Sequence, residues 1–281
     1  MIISGSASIS LASSLSSHSK IPLGKTTHQN FPDGEFMVQT NFKGDHGIII
    51  AATRSASDHL ELLQLQDAVR EAGATNITTI LPYMGYARQD TVFEPGQPLS
   101  ARAMARSIGT GTDRVIIVNP HKNTVCDYFG VPAIALDASP VLAQTLPTNL
   151  ENPLFLAPDA GAISLAKSVR DAYGTGDTDY FEKDRISSTE VQISPSTVDV
   201  AGRDVICVDD IISTGTTTSK SARILHDRGA KTIFVTCIHA LLVEDARKML
   251  SDSGVGAIYT TDTIVTPETK VSIAPLLAKL L

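Results

Sequence analysis

The chain has 281 residues, room for about two domains. Its 42% hydrophobic and 19% charged residues describe a globular protein with a substantial core, not a disordered one. A formal charge of -7 argues against a broad nucleic-acid surface, and no apolar run approaches the length of a membrane span.

The Ser-rich start carries no positive charge before Lys20, so neither a secretory nor a transit peptide fits it. A short strand at Met1 to Ser4 and a helix from about Ala7 are expected instead. NFPDGE (Asn30 to Glu35) contains Pro-Asp-Gly, a turn signal that on its own reads as a plain turn. From Gly47 the order is apolar strand, polar loop, helix, Gly-Ala and apolar strand, leading into PYMGYARQD (Pro82 to Asp90). Arg88 has the planar fork that suits polyphosphate oxygens, although a surface ion pair is the commoner fate of a lone arginine. The strand VIIVNPH ends in His121, which puts an imidazole at a sheet edge as either a ligand or a satisfied structural residue.

LPTNLENP (Leu146 to Pro153) has the composition of a linker between two halves. PDAGA (Pro158 to Ala162) precedes a helical pattern, a place where backbone amides can meet an anion. GDTDYFEKDR has neither helix nor strand periodicity, so Lys183 and Arg185 are expected on a polar loop, either a mobile lid or a solvated one. From Arg203 the order of strand, loop, helix, Gly-Ala and strand returns, with GAKTI (Gly229 to Ile233) matching GATNI (Gly73 to Ile77). Duplication explains this better than convergence, and strands alternating with helices predict parallel sheets covered on both faces. The tail VSIAPLLAKLL has helical spacing and is expected to dock as a short helix. The resulting division is residues 1–140 with a C-terminal helix at about 269–281, and residues 141–268.

The second half differs from the first at one point. Its strand is expected to end in Asp209 and Asp210, followed by Ser213, Thr214, Gly215, Thr216 and Thr217 at a helix start. Like charges side by side call for a cation or hydroxyl donors, and successive amides with a glycine among hydroxyls form a phosphate cradle. The lysine-bearing glycine loop of P-loop nucleotide binders is missing. Acids that suit vicinal hydroxyls beside a phosphate cradle describe a site for a ribose 5-phosphate; a polar turn capped by its own hydroxyls is the bland alternative.

VDDIISTGTT resembles the ribose-phosphate loop of the type I phosphoribosyltransferase fold. NFPDGE, PYMGYARQD, SGSAS, NPHKNTVCDYFGVP, APDAGA and EKDRISSTEV resemble, in order, segments of the ribose-phosphate pyrophosphokinase family, the last in its archaeal-type form. The resemblance implies an α/β protein of two similar domains of that fold, each a mostly parallel sheet flanked by helices. It implies transfer of the diphosphoryl group of ATP to the 1-hydroxyl of ribose 5-phosphate with Mg²⁺, in a cytoplasmic homo-oligomer whose adenine site is shared between subunits. The N-terminal domain would serve ATP and the C-terminal one ribose 5-phosphate. By the same resemblance Phe31, Asp33, Glu35, Arg88, Gln89, Asp90 and His121 bind ATP, His121 and Asp159 hold the metal, and Lys183 and Arg185 are catalytic. Asp209, Asp210 and Ser213 to Thr217 take the ribose 5-phosphate. Two positions depart from the family pattern: Ser213 where aspartate is frequent, and Asp184 where a basic residue is usual. The alternatives are a type I phosphoribosyltransferase, which lacks the duplicated architecture, and a non-catalytic regulatory homologue.

Overall fold

The computed structural model of the chain describes residues 1–92, 94–185, 191–195 and 199–281, with only the backbone for 182–185 and 191–195. It divides into two compact units, Met1–Asp137 with Ser272–Leu281, and Ala138–Val271.

The first unit runs β1 (Ile2–Ser4), α1 (Ile9–Ser19), β2 (Thr26–Asn30), β3 (Phe36–Thr40), β4 (His46–Ile50), α2 (Ala56–Glu71), β5 (Asn76–Leu81), α3 (Ser100–Gly109), β6 (Arg114–Val118) and β7 (Ala133–Leu136). Its sheet has the order β1-β4-β5-β6-β7 and is parallel throughout. Ile48, Ile49 and Ile50 are all buried, as expected of a strand covered on both faces. Leu62, Leu65 and Val69 turn one stripe of α2 into the core. β2 and β3 form a separate antiparallel hairpin.

The second unit runs α4 (Ser139–Leu142), β8 (Leu154–Ala157), α5 (Ile163–Tyr173), β9 (Asp177–Arg185), β10 (Val191–Pro195), β11 (Asp204–Ile212), α6 (Thr216–Asp227), β12 (Thr232–Ala240), α7 (Ala246–Asp252), β13 (Ala257–Thr261) and β14 (Thr269–Val271). The sheet order is β10-β9-β8-β11-β12-β13-β14, parallel except for β10. Strand for strand, β8-β11-β12-β13-β14 repeats the connectivity of β1-β4-β5-β6-β7, and each unit inserts a hairpin at the same point of the chain.

The matched Gly-Ala pairs close their helices identically. Gly73 donates to the Arg70 carbonyl (3.0 Å) and Ala74 to Val69 (3.2 Å), while Gly229 donates to His226 (3.0 Å) and Ala230 to Leu225 (3.1 Å). Both glycines sit in the left-handed region, at φ 104° and 81°, where a Cβ is penalised.

Three expectations are corrected. LPTNLENP is not the boundary: it lies inside the second unit, which begins at Ala138. Hydrogen bonds tie it there, from Tyr173 Oη to the Pro147 carbonyl (2.7 Å) and from the Glu151 amide to Asp204 Oδ2 (2.6 Å). Residues 269–271, assigned to the C-terminal helix, form β14 against β13; the helix is α8 (Ala274–Ala278), and it packs on α1 in the first unit. GDTDYFEKDR is not a loop but supplies β9, parallel to β8 and antiparallel to β10. Its ladder needs no apolar alternation to form, and Phe181 gives it one fully buried anchor. Among the described residues no helix is long and apolar enough to cross a membrane. Cys207 and Cys237 are buried free thiols, and burial pushes Cys207 up to about 12, so it does not ionise near neutrality.

Candidate active site

In the second unit β11 continues through the acid pair instead of stopping before it. Asp209 pairs with Cys237 and Ile211 with His239 of β12, skipping Asp210. The carboxylates fill the gap themselves: Asp209 Oδ1 accepts from the Asp210 amide (2.9 Å) and Asp210 Oδ1 from the Ile211 amide (2.8 Å). Burial, then the neighbouring Asp210 carboxylate, and also that of Asp159, push Asp209 well above the ordinary carboxylate range. A cation or hydroxyl donors beside it would favour its charged form.

Beyond the pair, Ser213 and Thr214 lead to Gly215 at φ 72°, the residue before the first turn of α6. That turn has no side-chain cap and no acidic residue, so its leading amides have no intrahelical partner. Thr216 and Thr217 are exposed, and the Thr214 and Thr216 hydroxyls lie 3.0 Å apart. Gly215 is itself buried against Ala246 and Leu250 of α7. The bend is therefore an open, uncapped helix start with exposed Thr216 and Thr217, an arrangement in which leading amides can meet an anion.

A second layer, not found from the sequence, supports the cradle. The Val243 amide donates to the Ser213 carbonyl (3.1 Å), and those of Leu241 and Leu242 to Ile212 (3.0 Å each). Leu242 and Glu244 are held at positive φ, 43° and 54°, a strain that persists only where the surroundings over-determine it. Arg247 does so here, donating to the Leu242 carbonyl (3.1 Å) while its guanidinium forks onto Glu268 (2.7 and 3.1 Å). The Leu-Leu-Val-Glu-Asp run carries no glycine to announce such a turn, which is why pattern reading passes over it.

Asp159 lies two residues beyond β8 and caps the short turn before α5, accepting from the Gly161 amide (3.0 Å). The backbones of Lys183 and Arg185 lie on β9, opposite Ile193 and Val191; their side chains, and residues 186–190 of the expected catalytic loop, lie outside the described residues. Among the described residues no three His, Cys, Asp or Glu side chains converge as a metal cage.

In the first unit Phe31, Asp33 and Glu35 occupy the exposed tip of the β2–β3 hairpin. The tip is preset: Phe31 donates to the Glu35 carbonyl (2.8 Å), Glu35 to Asp33 Oδ1 (3.1 Å), and Gly34 takes φ 93°. Arg88, Gln89 and Asp90 follow β5 on a loop pressed against the end of β4. A Cβ on Gly85 would lie 2.2 Å from the Thr53 carbonyl oxygen, so only glycine fits. Tyr86 next to it is left at φ 63°, half exposed. Arg88 is exposed; Gln89 reaches the Pro98 carbonyl (3.2 Å) and accepts from Ser100.

Asp90 pairs with Lys122 Nζ at 2.7 Å. Burial alone would raise its carboxyl, but the bonds to Lys122 and Thr91 and the charges of Lys122 and His121 hold it below the usual range. The loop bearing Arg88 and the strand end bearing His121 are thus clamped together through Lys122, a residue that composition does not distinguish. His121 belongs to the first unit and Asp159 to the second.

Two units of one wiring, each a mostly parallel sheet with helices on its faces, and an acid pair followed by an open helix start, define the type I phosphoribosyltransferase class of fold. Residues 1–110 match the N-terminal domain of ribose phosphate pyrophosphokinase, and residues 184–276 a phosphoribosyl synthetase-associated domain. The chain is 51% identical over 280 residues to the ribose-phosphate pyrophosphokinase of Halobacterium salinarum, covering 99% of each. It is 37% identical to that of Methanopyrus kandleri, over 99% of this chain and 97% of the relative. The crystal structure of phosphoribosylpyrophosphate synthetase from Mycobacterium smegmatis superposes with a TM-score of 0.86 at 26% identity, over 100% of this chain and 96% of that one. The chain belongs to the ribose-phosphate pyrophosphokinase family.

Proposed function

We propose that the chain transfers the diphosphoryl group of ATP to the 1-hydroxyl of ribose 5-phosphate, yielding 5-phosphoribosyl 1-pyrophosphate and AMP. The observation that carries this reading is the uncapped start of α6 beside the acid pair of β11. The 5-phosphate sits against the amides and hydroxyls of Ser213, Thr214, Gly215, Thr216 and Thr217, and Asp209 and Asp210 accept from the ribose hydroxyls. The sugar's O1 attacks the β-phosphorus, the bond from that phosphorus to the α,β-bridging oxygen breaks, and AMP leaves. There is little covalent work for the protein in such a step beyond positioning and neutralising charge.

ATP is held by the first unit: Phe31 stacks on adenine, Asp33 and Glu35 accept from its exocyclic amine, and Arg88 and Gln89 contact the polyphosphate. Asp90 supports them by fixing Lys122 and the strand end that carries His121. Lys183 and Arg185 neutralise the developing charge at the β-phosphorus. By the family resemblance the hairpin tip serves a neighbouring copy of the chain, so activity requires a homo-oligomer, and the enzyme works in the cytoplasm.

The residues present fit Mg²⁺ as a substrate-borne ion. Asp159, Asp209 and Asp210 offer the oxygen donors it prefers. Asp159 of the second unit would hold it, and His121 of the first is the other metal residue that the family resemblance implies. When bound, the ion would spread the negative charge of the polyphosphate.

The decisive assay is incubation with ATP, Mg²⁺ and ribose 5-phosphate. AMP formation that depends on the sugar is the expected result. Base-dependent release of pyrophosphate from 5-phosphoribosyl 1-pyrophosphate, without that AMP, would assign the chain to the transferases instead.

A further inference from the structure

The hairpin with Phe31, Asp33 and Glu35 at its tip has a thin apolar anchor, the half-buried Phe36 and the buried Val38 of β3 against the core of the first unit. Of the five residues in each of β2 and β3, only Val38 is buried. A two-stranded ribbon of this kind is marginal by itself, so whatever polar groups grip it decide where its tip points.

The grip comes from α2, through two side chains one turn apart on the same face. Glu61, only 5% exposed, accepts from the Ser6 amide (2.7 Å), the Ser6 hydroxyl (2.6 Å) and His28 Nε2 of β2 (2.5 Å). Gln64 accepts from the Val38 amide (3.1 Å) and donates to the Phe36 carbonyl (3.0 Å), doing for β3 what a neighbouring strand would do. A buried carboxylate with three donors is costly to leave short of one, which makes its geometry stiff. His28 lies three residues before Phe31, so a tilt at this contact is carried straight to the tip.

We propose that Glu61 and His28 are positioning residues for the adenine subsite, fixing the hairpin so that Phe31, Asp33 and Glu35 meet the base. This rests on the reading that the tip binds adenine. Neither residue touches the nucleotide; they act through the ribbon. Loss of the contact therefore weakens ATP binding while leaving the chemistry and the pentose site alone.

Steady-state kinetics of the full-length chain test this with His28→Ala, His28→Gln and Phe31→Ala beside wild type. His28→Ala is expected to raise the KM for ATP about tenfold, leaving kcat and the KM for ribose 5-phosphate within about twofold. His28→Gln keeps an N–H donor in reach of Glu61 and is expected to recover most of that loss. A purely structural role would instead reduce the fraction of active enzyme, seen as a lower kcat at unchanged KM. That pattern, or an unaltered KM for ATP in His28→Ala, overturns the proposal. If Phe31→Ala raises the KM for ATP and His28→Ala does not, only the positioning role is lost. If Phe31→Ala leaves it unmoved, the adenine reading itself fails and takes the proposal with it. Should His28→Ala not yield folded protein, His28→Asn, whose amide stops short of Glu61, carries the same expectation.

Discussion

The starts of α2 and α6 occupy equivalent places in the two units, each following an apolar strand and each ending in a Gly-Ala closure of the same hydrogen-bond pattern. They are opposites electrostatically. At α2 a capping box closes the first turn: Ser55 Oγ accepts from the Asp58 amide (3.1 Å), and Asp58 Oδ2 accepts from the Ser55 amide (2.9 Å). At α6 a glycine replaces the serine and the first turn holds no acid. An anion approaching α2 meets a carboxylate where one approaching α6 meets bare amides. The inserted hairpins diverge in the same manner, one kept apart from its sheet with an aromatic and two acids at its tip, the other joined to the sheet edge through β9 with Lys183 and Arg185 along its backbone. The lesson is that this wiring does not dictate chemistry; the choice of residue at a few helix starts and hairpin tips does.

Three substitutions probe that contrast. Lys183→Ala carries the largest expected effect, a fall in kcat of about a thousandfold with the KM for ATP little changed. The opposite signature is expected for the first hairpin, and a Lys183→Ala enzyme as fast as wild type would remove the functional difference between the two inserts. Next comes Thr217→Asp, which gives α6 the acidic first turn of α2 at an exposed position. The KM for ribose 5-phosphate should rise about thirtyfold through repulsion of its phosphate; an unmoved value would mean that the phosphate binds elsewhere. Ser55→Ala is the reciprocal and smallest change. Urea unfolding should show a loss of about 1 kcal/mol, with the KM for ribose 5-phosphate as in wild type. Any weakening of pentose binding there would show that the two helix starts are not independent in function.

The repeated strand-helix-Gly-Ala unit and the open helix start at Ser213 to Thr217 were legible because their signals are local. Glycine punctuates a positive φ, and runs such as Ile48 to Ile50 mark strands buried on both faces. What escaped was either non-local or self-satisfied. Glu61 and His28 are 33 positions apart, and neither has a sequence neighbour that announces the pair. Leu242 takes a left-handed conformation because Arg247 and the cradle hold it, which no propensity encodes. LPTNLENP reads as a linker by composition, yet Tyr173 and Asp204 pin it from elements further along the chain. β11 runs on past its acid pair into Ile211 and Ile212, with the carboxylates of Asp209 and Asp210 accepting from the amides of Asp210 and Ile211.

The segment Ser272–Leu281 belongs to the unit that begins the chain, with Ile273, Ala274 and Leu277 fully buried and Arg114 reaching the Leu280 carbonyl (3.3 Å). During synthesis the first lobe therefore emerges without its last ten residues, and the face of α1 that α8 covers stays bare until they follow. The first lobe is thus complete in covalent terms only after the contiguous second lobe has been made.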